Sequence, residues 1–129
     1  MRQSRGFTLV ELMITVVVIA ILATIAYPSY LEFVARGKRS AAQSAMMDIA
    51  NRQQQYFLVN RGYANKTALE AFGYALPAEV ASNYTYDMTV SAGPPPSFEI
   101  AFTATGSQAS RLGDLKLDST GKKTPADKW

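Results

Sequence analysis

The sequence has no histidine and no cysteine. The first absence removes imidazole bases and the commonest metal ligand; the second removes thiol nucleophiles, soft metal ligands and disulfides. Asp, Glu, Ser and Lys remain and can carry some chemistries, so the absences weaken an enzymatic reading without closing it. Lack of cysteine says nothing of compartment, since an exported protein does not need disulfides. Charge is missing locally as well: from Leu12 to Leu31 no side chain is charged. In a chain of 129 residues with 48% hydrophobic composition, concentrating apolar residues at one end leaves a more polar remainder with a small core. Net charge is also low. Arg2 and Arg5 supply two of the formal +3, so the chain beyond Gly6 carries +1. A bulk electrostatic case for nucleic-acid binding fails at that value.

What is present begins with a short basic segment, Met1 to Gly6, followed at once by the apolar run. A secretory signal would place a small-residue cleavage site after its apolar stretch, but here the run continues through Pro28, Ser29 and Tyr30 without a clear exit. Twenty uncharged residues in a helix reach ~30 Å, the thickness of a bilayer's hydrocarbon core. One transmembrane helix is the simplest reading. Arg2 and Arg5 flank one side and Arg36, Lys38 and Arg39 the other, so the positive-inside rule does not orient it. Glu11 stands out. Well inside a bilayer a carboxylate costs on the order of 2–3 kcal/mol or more and usually has a partner; at the edge of the span it reaches the headgroups, and then it merely marks that edge.

Gly6-Phe7-Thr8-Leu9-Val10-Glu11, followed by the apolar run to Tyr30, resembles the type III signal of type IV pilins and pseudopilins. The resemblance implies that a membrane peptidase cuts between Gly6 and Phe7 on the cytoplasmic side and that Phe7 is then N-methylated. It also puts Glu11 on the family's acidic position, five residues into the mature chain. The implied physics is coherent. The new amine at Phe7 of one subunit neutralises the Glu11 carboxylate of another, and such a pair sets register and subunit order more securely than it adds stability. Pro28 removes a backbone donor late in the run; it is either a tolerated kink or, as the family suggests, a bend or locally melted stretch that helps helices pack in a fibre.

Leu31 to about Leu58 continues as helix on propensity. Overlapping stripes through Leu31, Val34, Ala41, Ala42, Ala45, Met46, Ile49 and Tyr56 make this half amphipathic, with Arg36, Lys38, Arg39, Asp48 and Arg52 largely off the stripes. The three basic residues at 36–39 can meet anionic headgroups, an acidic neighbour or nucleic acid, but a solvated helical face is the default. Asn60-Arg61-Gly62 ends the helix, with glycine suited to the left-handed conformation. Residues 62–82 read as an irregular connection with a short helical turn at Thr67–Phe72. Three strands follow by alternation: Tyr84, Tyr86, Met88 and Val90; Phe98, Ile100, Phe102 and Ala104; Leu115 and Leu117. Gly93 to Pro96 separates the first two, and Ser119 to Gly121 turns the chain after the third. The expected fold is therefore α+β, a long N-terminal helix with a transmembrane first half packed on a small antiparallel β-meander, which is the type IV pilin fold. The expected organisation is a leader at 1–6, a membrane and assembly helix at 7–30, its amphipathic continuation at 31–60 and a globular head at 61–129.

Leu115-Lys116-Leu117-Asp118 leading through Gly121 to Trp129 is similar to the end of PilE-type pilins. There, cysteines flank a closing disulfide loop; here Leu112 and Lys128 stand in their places. Packing of Trp129 on the sheet is an alternative closure. Other motifs carry less. Asn65-Lys66-Thr67 and Asn83-Tyr84-Thr85 match the N-glycosylation triplet, which recurs by chance. Asp114, Asp118 and Asp127 are interleaved with Lys116, Lys122, Lys123 and Lys128, which opposes a calcium site. Lys122 and Lys123 can touch DNA but read first as a solvated turn. Tyr27, Tyr30 and Tyr56 read as interfacial anchors or packing groups.

The expectation is a structural subunit, not an enzyme, with no cofactor and no metal. The residues expected to matter are Gly6 and Phe7 for cleavage, Phe7 for N-methylation, and Phe7, Glu11 and Pro28 for assembly. The partners implied are other pilin subunits, the peptidase and methylase, an inner-membrane assembly platform and membrane lipid, with nucleic acid compatible but unsupported. By the same resemblance the chain crosses the inner membrane once with its head on the periplasmic side, then joins an extracellular pilus for adhesion, twitching motility or DNA uptake. A type II secretion pseudopilin and a membrane-tethered binding module that never polymerises are the alternatives, and an anchored enzyme is the least supported.

Overall fold

The computed structural model describes residues 6–129; the basic leader with Arg2 and Arg5 lies outside them. Helix α1 runs over Leu9–Asn60. It is followed by α2 (Lys66–Ala71), α3 (Ala78–Ala81), β1 (Tyr84–Ser91), β2 (Ser97–Ala104), α4 (Ser107–Arg111), β3 (Leu115–Asp118) and β4 (Lys123–Thr124), with a short 3-10 turn at Ala126–Lys128. The chain divides into two compact units, Met1–Val34 and Ala35–Trp129. In the first, the helix from Leu9 to Tyr30 is largely apolar, exposed all round and contains Pro28 without a break. Any melting there is not a feature of the single subunit.

In the second unit the later part of α1 packs on a four-stranded antiparallel sheet of order β1-β2-β3-β4. Register follows the alternation. Met88 faces Ile100, which faces Leu117; Tyr86 faces Phe102, which faces Leu115. These two rows form the buried face, and Ala42, Ala45, Met46 and Ile49 of α1 close the core over it. Each strand thus puts every second residue onto the helix, because a one-residue slip would expose the whole apolar set. The outer edge of β1 is partly covered by α2: Lys66 Nζ donates to the Tyr86 carbonyl at 3.1 Å and the Tyr86 hydroxyl donates to Glu70 at 2.7 Å. Covering an edge in this way blunts pairing with foreign strands.

Several expectations change. The sheet has a fourth strand, Lys123–Thr124, paired with β3; at two residues it is too short to show alternation. Helix α3 falls where irregular chain was expected and α4 lies between β2 and β3, where no element was expected; both are too short for a periodic pattern. The residue in the left-handed conformation after α1 is Arg61, at φ 56°, not Gly62. The buried stripe of α1 also contains Ala35, Arg39 and Gln53. Arg39 is therefore not part of a solvated face. It lies at 4% exposure, in step with Ala35, Ala42, Met46 and Ile49, because helical spacing places it there whatever its polarity. Gln53 is buried because it does the work of a backbone: its amide accepts from Ala64 N–H at 2.8 Å and donates to Ala64 C=O at 2.6 Å. That pair holds the chain reversal beyond the helix.

Candidate assembly site

Three of the four expected residues, Gly6, Phe7 and Glu11, lie together where α1 begins; Pro28 is far along the same helix. Gly6 and Phe7 precede the helix and are exposed, Phe7 at 74%. A Cβ built on Gly6 meets nothing within 4 Å, and its backbone is outside the positive-φ set. The fold of the subunit therefore does not require glycine there.

Glu11 is held locally. Its Oε2 accepts from the Thr8 backbone N–H at 3.2 Å and from the Thr8 hydroxyl at 2.9 Å, and the Glu11 N–H donates to Thr8 Oγ1 at 3.2 Å. This is a reciprocal capping box: Thr8 caps the helix and Glu11, three residues on, returns to the cap's own N–H. It satisfies orphan donors at the helix start. Both side-chain bonds fall on one oxygen, so Oε1 keeps its lone pairs for a donor from outside. Sequence reasoning missed Thr8, although the signal was present as Thr8-Leu9-Val10-Glu11 before an apolar run. Below it, Leu12, Met13, Ile14, Val16, Val17, Ile19 and Ile21 are all exposed. The helix is long and apolar enough to cross a membrane, and exposed apolar surface on this scale marks lipid or protein contact.

At the other end of the chain the tail returns to α1. Gln43 Nε2 donates to the Lys128 carbonyl at 3.2 Å, the Trp129 indole N–H donates to the Thr124 carbonyl at 3.4 Å, and Lys123 Nζ sits 4.9 Å from the Trp129 ring centroid. Trp129 is half-buried against the core. Among the described residues no group of three His, Cys, Asp or Glu could hold a metal ion. Asp114 instead accepts the Ala104 N–H, and Asp118 is occupied by Thr120 and Lys122.

Comparison with known proteins decides what this arrangement belongs to. Residues 28–114 match the model of a family described as type IV minor pilin ComP, DNA uptake sequence receptor, and residues 1–27 match the prokaryotic N-terminal methylation motif. The chain belongs to the type IV pilin family. This pilin is 36% identical over 91 residues to the type IV major pilin protein PilA of Myxococcus xanthus, covering 70% of this chain and 40% of that one. It is 35% identical over 82 residues to the type IV wide pilus major component PilA4 of Thermus thermophilus, covering 62% of this chain and 63% of that one. It thus spans less than two thirds of either relative. The fold is shared with a type IV pilin of Shewanella oneidensis at TM-score 0.54 and 22% identity, over 71% of this chain and 92% of that one. The expected fold, a long apolar helix with a small antiparallel sheet, is the one observed.

Proposed function

We propose that this pilin is a structural subunit of a type IV pilus, cleaved between Gly6 and Phe7, N-methylated at Phe7 and polymerised through its N-terminal helix. The observation that carries the reading is the start of α1. An exposed carboxylate, preset by Thr8 with one oxygen open, stands four residues from the amine that cleavage would create, at the head of an unpartnered apolar helix. In lipid each charge is costly alone, and pairing Glu11 of an incoming subunit with the Phe7 amine of its neighbour offsets both. Before assembly the chain crosses the inner membrane once, head on the periplasmic side; afterwards it is in the extracellular fibre. Its partners are other pilin subunits, the processing peptidase and the assembly platform. Mass spectrometry of sheared filaments tests this: the expected species begins at methylated Phe7. Chains retaining residues 1–6 would count for a tethered module, and a processed chain absent from sheared material would count for a pseudopilin.

A second reading comes from the family description, which names a DNA uptake sequence receptor. Across residues 28–114 this chain carries seven Lys or Arg and seven Asp or Glu, so no net charge there favours phosphates. Salt-dependent, sequence-selective binding of duplex DNA in an anisotropy titration would establish that reading; its absence leaves a purely structural subunit.

A further inference from the structure

Beside the later part of α1 lies a cleft of about 340 Å³, formed by Ala41, Ala45 and Asp48 of the helix and by Tyr74, Glu79 and Val80 of the chain before β1. Both of its charged groups are carboxylates. Tyr74 is 5% exposed, and its hydroxyl is buried without a hydrogen-bond partner, a costly state for a polar group. Burial first, and then the Asp48 charge, push that hydroxyl up to about 12, so it stays neutral. Asp48 Oδ2 accepts from Arg52 Nε at 3.0 Å, which leaves Oδ1 unused. The exposed Glu79 carboxylate has no bond among the described residues. Two carboxylates and a phenol oxygen beside alanine and valine suit an alkylammonium, whose methylenes cover the apolar wall while its head takes the acceptors.

Such a group stands on the same head. Ser44 and Asp48 line this cleft and also a groove on the other flank of α1, bordered by Lys123 and Trp129. On that flank Gln43 Nε2 donates to the Lys128 carbonyl at 3.2 Å. Lys128 is thus fixed beside the helix at the height of the cleft, while its exposed ammonium has no bond among the described residues. We propose that Lys128 of one copy enters the cleft of a second copy, with its ammonium on Tyr74, Asp48 and Glu79.

Charge also selects how the two heads face. If they meet at the Ser44–Asp48 ridge with their helices antiparallel, cleft faces cleft and lysine faces lysine. With the helices parallel, Lys128 of each faces the cleft of the other, so like charges are kept apart and opposite ones paired. An exposed ion pair is weak by itself. It orients heads that polymerisation has already brought together at high effective concentration. The inference rests on the polymerising subunit proposed above and names a head contact within it.

The test uses the full chain in cells that assemble it. The unmodified chain must first appear in sheared filaments; its absence removes the polymerising reading and this proposal with it. Cysteine occurs nowhere in the sequence, so Glu79→Cys combined with Lys128→Cys reports this contact alone. Oxidised filaments of the double variant should run as disulfide-linked multimers, and those of either single variant as monomers. Filaments without multimers sink the head contact alone, and multimers from either single variant overturn the parallel arrangement. Thr85→Cys on the exposed face of β1, combined with Lys128→Cys, should stay monomeric; multimers there would mean indiscriminate contact and overturn the assignment. Charge gives a second measurement. Glu79→Lys and Lys128→Glu should each lower sheared pilin several-fold at equal whole-cell level, and the two together should restore most of it. A combined variant no better than either alone overturns the pairing.

Discussion

Single substitutions can separate the cap that Glu11 makes with Thr8 from the assembly role proposed for it. Glutamine serves the capping box as well as glutamate does, so Glu11→Gln keeps the bond to Thr8 N–H and removes only the charge. If pairing with a neighbour's amine drives assembly, Glu11→Gln and Glu11→Ala should both insert and be cleaved yet yield little sheared pilus. If the cap were what matters, Glu11→Gln would assemble normally, and quantitative blotting of sheared against whole-cell pilin distinguishes the two. At the opposite end, Asp118 Oδ1 accepts the Thr120 hydroxyl at 2.6 Å and the backbone N–H groups of Thr120 and Lys122 at 2.8 and 3.0 Å. The Thr120 hydroxyl first, then the backbone donors, hold its carboxyl below the ordinary aspartate range. A depressed folded value means the turn's stabilisation is fully present above the unfolded pKa and is lost as pH falls through the folded one. The Thr120 and Lys122 amide resonances should therefore titrate with a midpoint below that of a free aspartate, and a normal midpoint would refute the bonding.

Elements show where pattern reading succeeds and where it stops. The alternation in β1, β2 and β3 was legible because each strand is half-buried and period two has no competitor. The apolar stripe of α1 was legible for the same reason at 3.6 residues. Arg39 and Gln53 were not, because hydropathy assigns them outward while helical geometry assigns them inward. Gln53 is the sharper case. Replacing it by leucine keeps bulk but leaves the Ala64 N–H and C=O buried without partners, at roughly 1–3 kcal/mol for each unsatisfied group. Denaturation of Gln53→Leu in detergent should show a loss of that order, whereas Gln54→Leu, on the exposed side of the same turn, should show almost none. Helix α2 was partly legible, since Asn65 caps it by accepting the Ala68 N–H at 2.8 Å, a bond typical of that residue type at that position.

For the whole molecule, the two units differ in how much apolar surface they expose. The core lies entirely within Ala35–Trp129, while the earlier unit exposes almost every large apolar side chain it has. A chain starting at Ala35 should therefore fold and stay monomeric without detergent, whereas the full chain should aggregate unless lipid, detergent or other subunits cover the helix. In the truncated chain Phe102→Ala should lose about 3–5 kcal/mol by chemical denaturation, since Phe102 is fully buried between β1, β3 and α1 and the sheet cannot collapse around the hole. Retained solubility with a negligible loss would mean that the head is held by something other than this core.

The sequence by itself determined the membrane-length helix, the match of its first residues to the N-terminal methylation motif, the inward residues of three strands and the α+β class. Each of these is a local repeat or a short linear motif, and local order along the chain is enough to express it. Only the tertiary structure decided that Gln53 stands in for a backbone partner of Ala64, that Arg39 lies buried and reaches the Leu112 carbonyl, and that Gln108 ties α4 to Ala35 and Tyr84. These depend on which residues far apart in the chain meet, and a polar group buried by helix geometry is invisible until its partner's position in space is known.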